Sequence, residues 1–279
     1  MPQKEDLLAP QERDETVQYT GSADGTTIAY ERFGEGPALV LVFGALCDRK
    51  GINSPGERLS ADFTVYTYDR RGRGASGDSS RYRVEREIED LAALIAAAGG
   101  SAHVFGHSSG AVLALKAAAA GLPITRLVAY EPPFVLEGAR ERPRADLADR
   151  VRQLVLEDRR TEALRLDLTE AMQFPDEVLA GIEASPLWPG FLALAHTLSY
   201  DLAVCGPGNH VPVEEIVAVG VPTLVIDGGK SPDWMRAAAR RVASLVPGAQ
   251  HVTLEGQHHG AAPEVLAPVL RDFYLARSS

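Results

Sequence analysis

The sequence predicts an α/β fold, a mostly parallel, eight-stranded twisted sheet flanked by helices, with a helical cap inserted late in the chain. Three observations lead there. Short, unbroken apolar runs such as ALVLVF at 38–43 and VPTLVID at 221–227 suit strands buried on both faces of a parallel sheet. These runs alternate with stretches of helical periodicity, the pattern of βαβ units. From Leu136 to about Pro212 the alternation stops and only helical periodicity remains. Residues 136–212 therefore read as a cap inserted into a core of 16–135 and 213–279, behind a polar tail of 1–15.

Composition narrows the partners. At 279 residues the chain is long enough to bury a large core. Hydrophobic and charged shares of 45% and 24% are those of a soluble globular protein. A formal net charge of −10 argues against nucleic-acid and anionic-membrane partners, which need a basic face. Cys47 and Cys205 are the only cysteines, too few for a disulfide framework and without zinc-ligand spacing. No signal-peptide core or membrane-length apolar run is present. The expectation is a cytoplasmic monomer or homodimer acting on a small molecule.

The elements follow in order. Val17–Thr20 and Thr27–Arg32 read as strands around Ser22-Ala23-Asp24-Gly25, an Asp-Gly hairpin signal. Strands are expected at Ala38–Phe43 and Phe63–Tyr68. Val84, Ile88, Leu91 and Ile95 recur at helical spacing, so 84–98 is an amphipathic helix ending at Gly99-Gly100. Arg126–Tyr130 is the next strand after the Ala111–Ala120 helix. Four helices are expected in the insertion, within ADLADRVRQLVLEDRR, EALRLDLTEAM, PDEVLAGIEA and FLALAHTLSYDLAV. Strand Val221–Asp227, a helix from about Asp233 to Leu245, strand His251–Glu255 and a last helix from Pro263 to Ala276 complete the chain.

The densest stretch is Ala102 to Ala120, AHVFGHSSGAVLALKAAAA. A short strand runs into Gly106-His107-Ser108-Ser109-Gly110 and then into a helix. That strand-turn-helix places Ser108 at a strained apex with its side chain exposed, where glycines at 106 and 110 allow the strand and helix to approach closely. In this context the chain resembles the α/β-hydrolase superfamily, in its serine-nucleophile branch with a helical cap. Asp69-x-Arg71-Gly72-x-Gly74-x-Ser76 also resembles that superfamily's turn after the corresponding strand, so Arg70, Arg71 and Arg73 are expected to brace a loop rather than bind phosphate.

The resemblance implies a site. Serine alone is a poor nucleophile and needs a base that is itself oriented by a third group; in this fold the chain order is serine, acid, histidine. His259 stands three residues after Gly256, as in the superfamily's Gly-x-x-His loop, with His258 as the fallback. A metal role for the pair is disfavoured because adjacent side chains diverge on an extended segment and no further ligand stands beside them. The usual aspartate position is occupied by Ser231, which cannot supply a charge. Glu131 is the favoured acid, at the end of the strand after the nucleophile helix as in some haloalkane dehalogenases; Asp233 and Asp227 are the alternatives. Pro132 is expected to keep Glu131 extended. The backbone N–H groups of Ala45 and Ser109 fall at the oxyanion positions, although Phe43-Gly44 stands where relatives often have His-Gly. Phe43, His107, Met172, Phe174, Trp188 and Phe191 are the candidate pocket residues.

This set implies a serine hydrolase that cleaves an ester, lactone or thioester of a small, largely apolar molecule through an acyl-enzyme, with no metal or organic cofactor. Haloalkane dehalogenase and epoxide hydrolase activities fit poorly, since those families use aspartate at the elbow. A lyase, cyclase or cofactor-free haloperoxidase-type reaction on the same fold, or a ligand-binding protein that lost hydrolysis, remain open alternatives.

Overall fold

The computed structural model describes residues 16–51 and 53–276; the expected tail, 1–15, lies outside them. The strands are β1 (Gln18–Gly21), β2 (Thr27–Phe33), β3 (Ala38–Val42), β4 (Thr64–Tyr68), β5 (Ala102–His107), β6 (Ile124–Tyr130), β7 (Thr223–Gly228) and β8 (Gln250–Leu254). They form one sheet in the order β1-β2-β4-β3-β5-β6-β7-β8. The pairs β1–β2 and β2–β4 are antiparallel and the remaining pairs parallel.

Helices α1 (Gly56–Leu59), α2 (Val84–Ala97) and α3 (Ser109–Ala119) precede β6. Helices α4 (Leu147–Leu156), α5 (Arg160–Glu170), α6 (Asp176–Glu183), α7 (Trp188–Leu194), α8 (Leu198–Cys205) and α9 (Val213–Val217) follow it. Helix α10 (Asp233–Leu245) links β7 to β8, and α11 (Pro263–Leu275) ends the chain. The unbroken apolar strands serve two cores at once because successive side chains alternate faces. Val40, Val42, Val104 and Ala129 pack against α2, α3 and α10. Leu39, Leu41, Phe105 and Val128 pack against Leu59 of α1 and Leu266, Leu270 and Phe273 of α11.

Between β6 and β7 the described chain has no strand, as the periodicity predicts. The fourth expected helix is two, α7 and α8, separated by a 3-10 turn at Ala195–Thr197. These helices have their own core of Leu147, Val151, Ala163, Leu164, Ala195 and Leu198, and Ala45 and Leu46 from the loop after β3 pack against it. These helices therefore rest against the loop that leaves the carboxyl end of β3. No single helix among the described residues is long and apolar enough to cross a membrane.

Candidate active site

The parallel strands bring the chemistry-bearing residues to one edge, since the loops leaving β3, β5, β6 and β8 all emerge at carboxyl ends, where ligands of open α/β sheets bind. Ser108 follows β5 with φ 57° and ψ −127°, a left-handed strained conformation that a non-glycine residue adopts only when its surroundings over-determine it. Its N–H donates to the Tyr130 carbonyl at 2.9 Å. A Cβ at Gly106 would stand 2.6 Å from Ala111 Cα, and one at Gly110 would overlap the Val42 carbonyl. The two glycines are therefore what lets strand, helix and neighbouring strand converge under Ser108.

Among the described residues, His259 Nδ1 is hydrogen-bonded to Glu131 Oε2 at 2.6 Å. The other carboxylate oxygen accepts the Gly228 N–H at 2.7 Å. Glu131 is fully buried. Burial alone would raise its carboxyl pKa, but the hydrogen bond and charge of His259 hold it below the usual range. With Nδ1–H given to a carboxylate, Nε2 of His259 is left as the basic nitrogen. The Ser108 hydroxyl makes no hydrogen bond to His259 here; such bonds commonly tighten only when substrate is bound.

Glu131 differs from expectation in its backbone. Its φ is +48°, left-handed rather than extended. Proline at 132 disfavours the right-handed helical region, and the choice among the remainder is made by tertiary bonds: the Glu131 N–H donates to Ile226 at 3.0 Å while its carboxylate reaches Gly228 and His259.

The alternatives lie elsewhere. Asp227 is buried, but its carboxylate faces Arg236, Arg240 and His251 at 3.5–3.9 Å, toward α10 and without a hydrogen bond. Asp233 is the exposed first residue of α10. Ser231, at the usual acid position, is buried beside Glu131, and its hydroxyl makes no hydrogen bond of good geometry. His258 is exposed and hydrogen-bonded through Nδ1 to the Lys230 carbonyl.

His107 lies against His259, the rings 4.5 Å apart. Its Nε2 donates to the His259 carbonyl at 2.8 Å, which requires a proton on that nitrogen. Burial and the neighbouring His259 push the His107 pKa down to about 3, so it stays neutral. Phe43, His107, Tyr130 and His259 line one small cavity. Leu46, Cys47, Gly190, Phe191 and His196 line a larger one of about 650 Å³ between the loop after β3 and α7. Trp188 packs on the insertion's core. Met172 and Phe174 are half-buried after α5, outside both cavities.

On the other side of Ser108, the Ala45 N–H makes no backbone hydrogen bond among the described residues, and Ser109 is the first residue of α3, where N–H groups lack intrahelical acceptors. A Cβ at Gly44 would come 2.8 Å from Ser108 Cβ, so the Gly44–Ala45 turn passes directly over the elbow.

The three arginines of the turn after β4 are buried and paired. Arg70 holds Glu87 with Nε and Nη2 at 2.6 and 2.7 Å, and Arg71 holds Asp90 in the same way at 2.7 and 2.6 Å. Arg70 and Arg73 both reach Asp201 of α8. Burial would raise the Asp201 carboxyl, but these two guanidiniums and the Ser109 hydroxyl hold it low. Asp201 is the residue that reading the sequence missed. Its signal was an aspartate inside the apolar run Leu198-Ser199-Tyr200-Asp201-Leu202-Ala203-Val204, since a charge on a buried helix face needs a partner.

The fold and the elbow define the α/β-hydrolase class, and sequence comparison agrees. A family profile described as "Alpha/beta hydrolase family" matches residues 23–269, and the chain belongs to that family. It is similar to an alpha/beta hydrolase from Sphaerobacter thermophilus of known structure, with 51% identity and TM-score 0.87 over 92% of this chain and all of that one. A 127-residue stretch is 40% identical to N-formylmaleamate deformylase of Pseudomonas putida, covering 44% of this chain and 47% of that protein, less than half its length. The enol-lactonase of Burkholderia xenovorans shares the fold, with TM-score 0.71 over 93% of this chain and all of that one, at 22% identity.

Proposed function

We propose that this protein is a serine hydrolase that cleaves an ester, lactone or thioester of a small, largely apolar molecule. The observation that carries this reading is the 2.6 Å bond between His259 Nδ1 and the buried Glu131 carboxylate, beside a serine held at φ 57°. In the reaction, Ser108 Oγ attacks the acyl carbon while His259 Nε2 takes its proton, and Glu131 stabilises the imidazolium so formed. The N–H groups of Ala45 and Ser109 receive the charge that develops on the acyl oxygen. His259 then returns the proton to the leaving group, and water activated by the same nitrogen releases the acid from Ser108. This chemistry calls on no metal or organic cofactor.

The helical insertion serves in this reading as a cap, and the cavity beneath Phe191 takes the apolar part of the substrate. The acidic net charge and the two cysteines support a small-molecule enzyme of the cytoplasm. The likeness to N-formylmaleamate deformylase adds the N-formyl amide as a second acyl bond to test.

A fluorophosphonate probe should label wild-type protein at Ser108, and Ser108→Ala should lose both the label and at least about 10⁴-fold in hydrolysis of nitrophenyl esters. Labelling that survives Ser108→Ala would overturn the assignment.

A further inference from the structure

One carboxylate on the inserted helices is bonded to both of the segments that carry the proposed oxyanion donors. Asp201 of α8 accepts the Ser109 hydroxyl on Oδ1 at 2.6 Å; the same oxygen takes Arg70 Nη1 at 2.6 Å. Oδ2 accepts Arg73 Nη2 at 2.7 Å. Arg73 Nη1 passes the connection on, donating to the Gly44 carbonyl at 2.6 Å and the Cys47 carbonyl at 3.2 Å. All four side chains, Arg70, Arg73, Ser109 and Asp201, are buried.

The Gly44 carbonyl and the Ala45 N–H belong to one peptide plane, and no peptide among the described residues is cis. In a trans peptide the C=O and N–H point in opposite directions. A guanidinium that grips the Gly44 oxygen from one side therefore aims the Ala45 N–H to the other, where the turn passes over Ser108. Ser109 is held in a parallel way: its hydroxyl is anchored at the first residue of α3, which fixes the peptide whose N–H is the second donor.

We propose that Asp201 is a positioning residue that sets the direction of both oxyanion donors at once, Ala45 N–H through Arg73 and Ser109 N–H through its own hydroxyl. The role rests on the acyl-transfer reading above. Charge develops on the acyl oxygen in the transition state, so a misdirected donor raises the barrier while leaving ground-state binding nearly unchanged. Neither donor touches Asp201, and the carboxylate touches no substrate.

Asp201→Asn keeps the side chain's size but presents an NH2 group to Arg73 or to Ser109, so one of the two anchors is lost. With nitrophenyl acetate, kcat should fall about 10- to 100-fold and KM by less than about 3-fold. The affinity of a trifluoromethyl ketone, which forms a tetrahedral oxyanion on a serine, should fall by the same factor as kcat/KM. Ser109→Ala deletes a single hydroxyl and leaves the salt bridges intact; it should reproduce the pattern at about 3- to 10-fold and keeps the test open if the Asn variant does not fold.

Fluorophosphonate labelling of Ser108 separates this role from the reading beneath it. A wild-type protein that takes no label at Ser108 would overturn the acyl-transfer reading and this role with it. Normal labelling with wild-type kcat and inhibitor affinity in both variants would overturn the positioning role alone. A smaller labelled fraction with unchanged kcat per labelled site would show that Asp201 only supports folding, and would overturn it as well.

Discussion

Beside Ser108, Glu131 and His259 both come from loops of the sheet itself and are held by core residues: a 2.6 Å bond between them, the Gly228 N–H at 2.7 Å, the Ile226 carbonyl at 3.0 Å and His107 Nε2 at 2.8 Å. On the oxyanion side, the Gly44–Ala45 turn and the start of α3 are held through buried charges that run from β4 and α2 to α8. The first half needs only the core. The second is completed by the insertion. Two positive and two negative groups, Arg70, Arg73, Glu87 and Asp201, meet there out of water. Burying a charge is costly unless its partners satisfy it, so this side has no partial version.

The largest expected effect tests whether the acid side is as simple as it looks. In the proposed reaction, Glu131→Gln removes the charge that stabilises the imidazolium and should cut kcat by about 10³- to 10⁴-fold. A loss below tenfold would move the acid to another carboxylate. Next, Arg70→Met leaves Glu87 and part of Asp201 buried without a cation, and unfolding in urea should show a loss of ~3–5 kcal/mol. An unchanged midpoint would mean that the network is not holding the insertion to the core.

Asp167 of α5 sharpens the comparison through pH. Burial and the nearby Asp201 charge push its carboxyl up to about 7 from 3.8. Between about pH 4 and pH 7 the folded chain thus keeps a proton that the unfolded chain releases, so stability falls as pH rises through that window and levels off above it. Asp167→Asn should remove the slope, gaining ~2–4 kcal/mol on wild type between pH 4 and pH 8. Parallel stability curves for the two proteins would refute the shift. The smallest effect is expected at Asp233, which is exposed at the start of α10. Asp233→Asn should cost no more than ~0.5 kcal/mol, the scale of one charge at a helix N-terminus, and leave kcat within about twofold.

The pairing of Glu131 with His259 was legible in the sequence because Ser108, Glu131 and His259 each lie in the segment that follows its own strand, and such segments are marked by local signals. Gly106 and Gly110 bracket Ser108, Gly256 precedes His259, and Pro132 stops β6 just after Glu131. Even there the backbone of Glu131 was misread. Proline excludes one region of φ and ψ, and the bonds to Ile226, Gly228 and His259 choose among the others. Asp201 was out of reach for a different reason. Its partners Arg70, Arg73 and Ser109 lie 131, 128 and 92 residues away in sequence, and nothing local to Leu198–Cys205 says which buried cation an interior aspartate will meet. The break between α7 and α8 was lost likewise, because the helical period continues across Ala195–Thr197, where the backbone tightens to a 3-10 turn.

Arg73 also has a consequence for engineering. Because its guanidinium joins the Gly44 carbonyl to Asp201, the loop after β3, the turn after β4 and the inserted helices make one heritable unit. An insertion transplanted from a relative without an acid at the Asp201 position would leave Arg73 without its carboxylate partner and Arg70 with Glu87 alone. Chimeras cut at the obvious seams near residues 136 and 212 should therefore fail unless the arginines travel with the helices they grip.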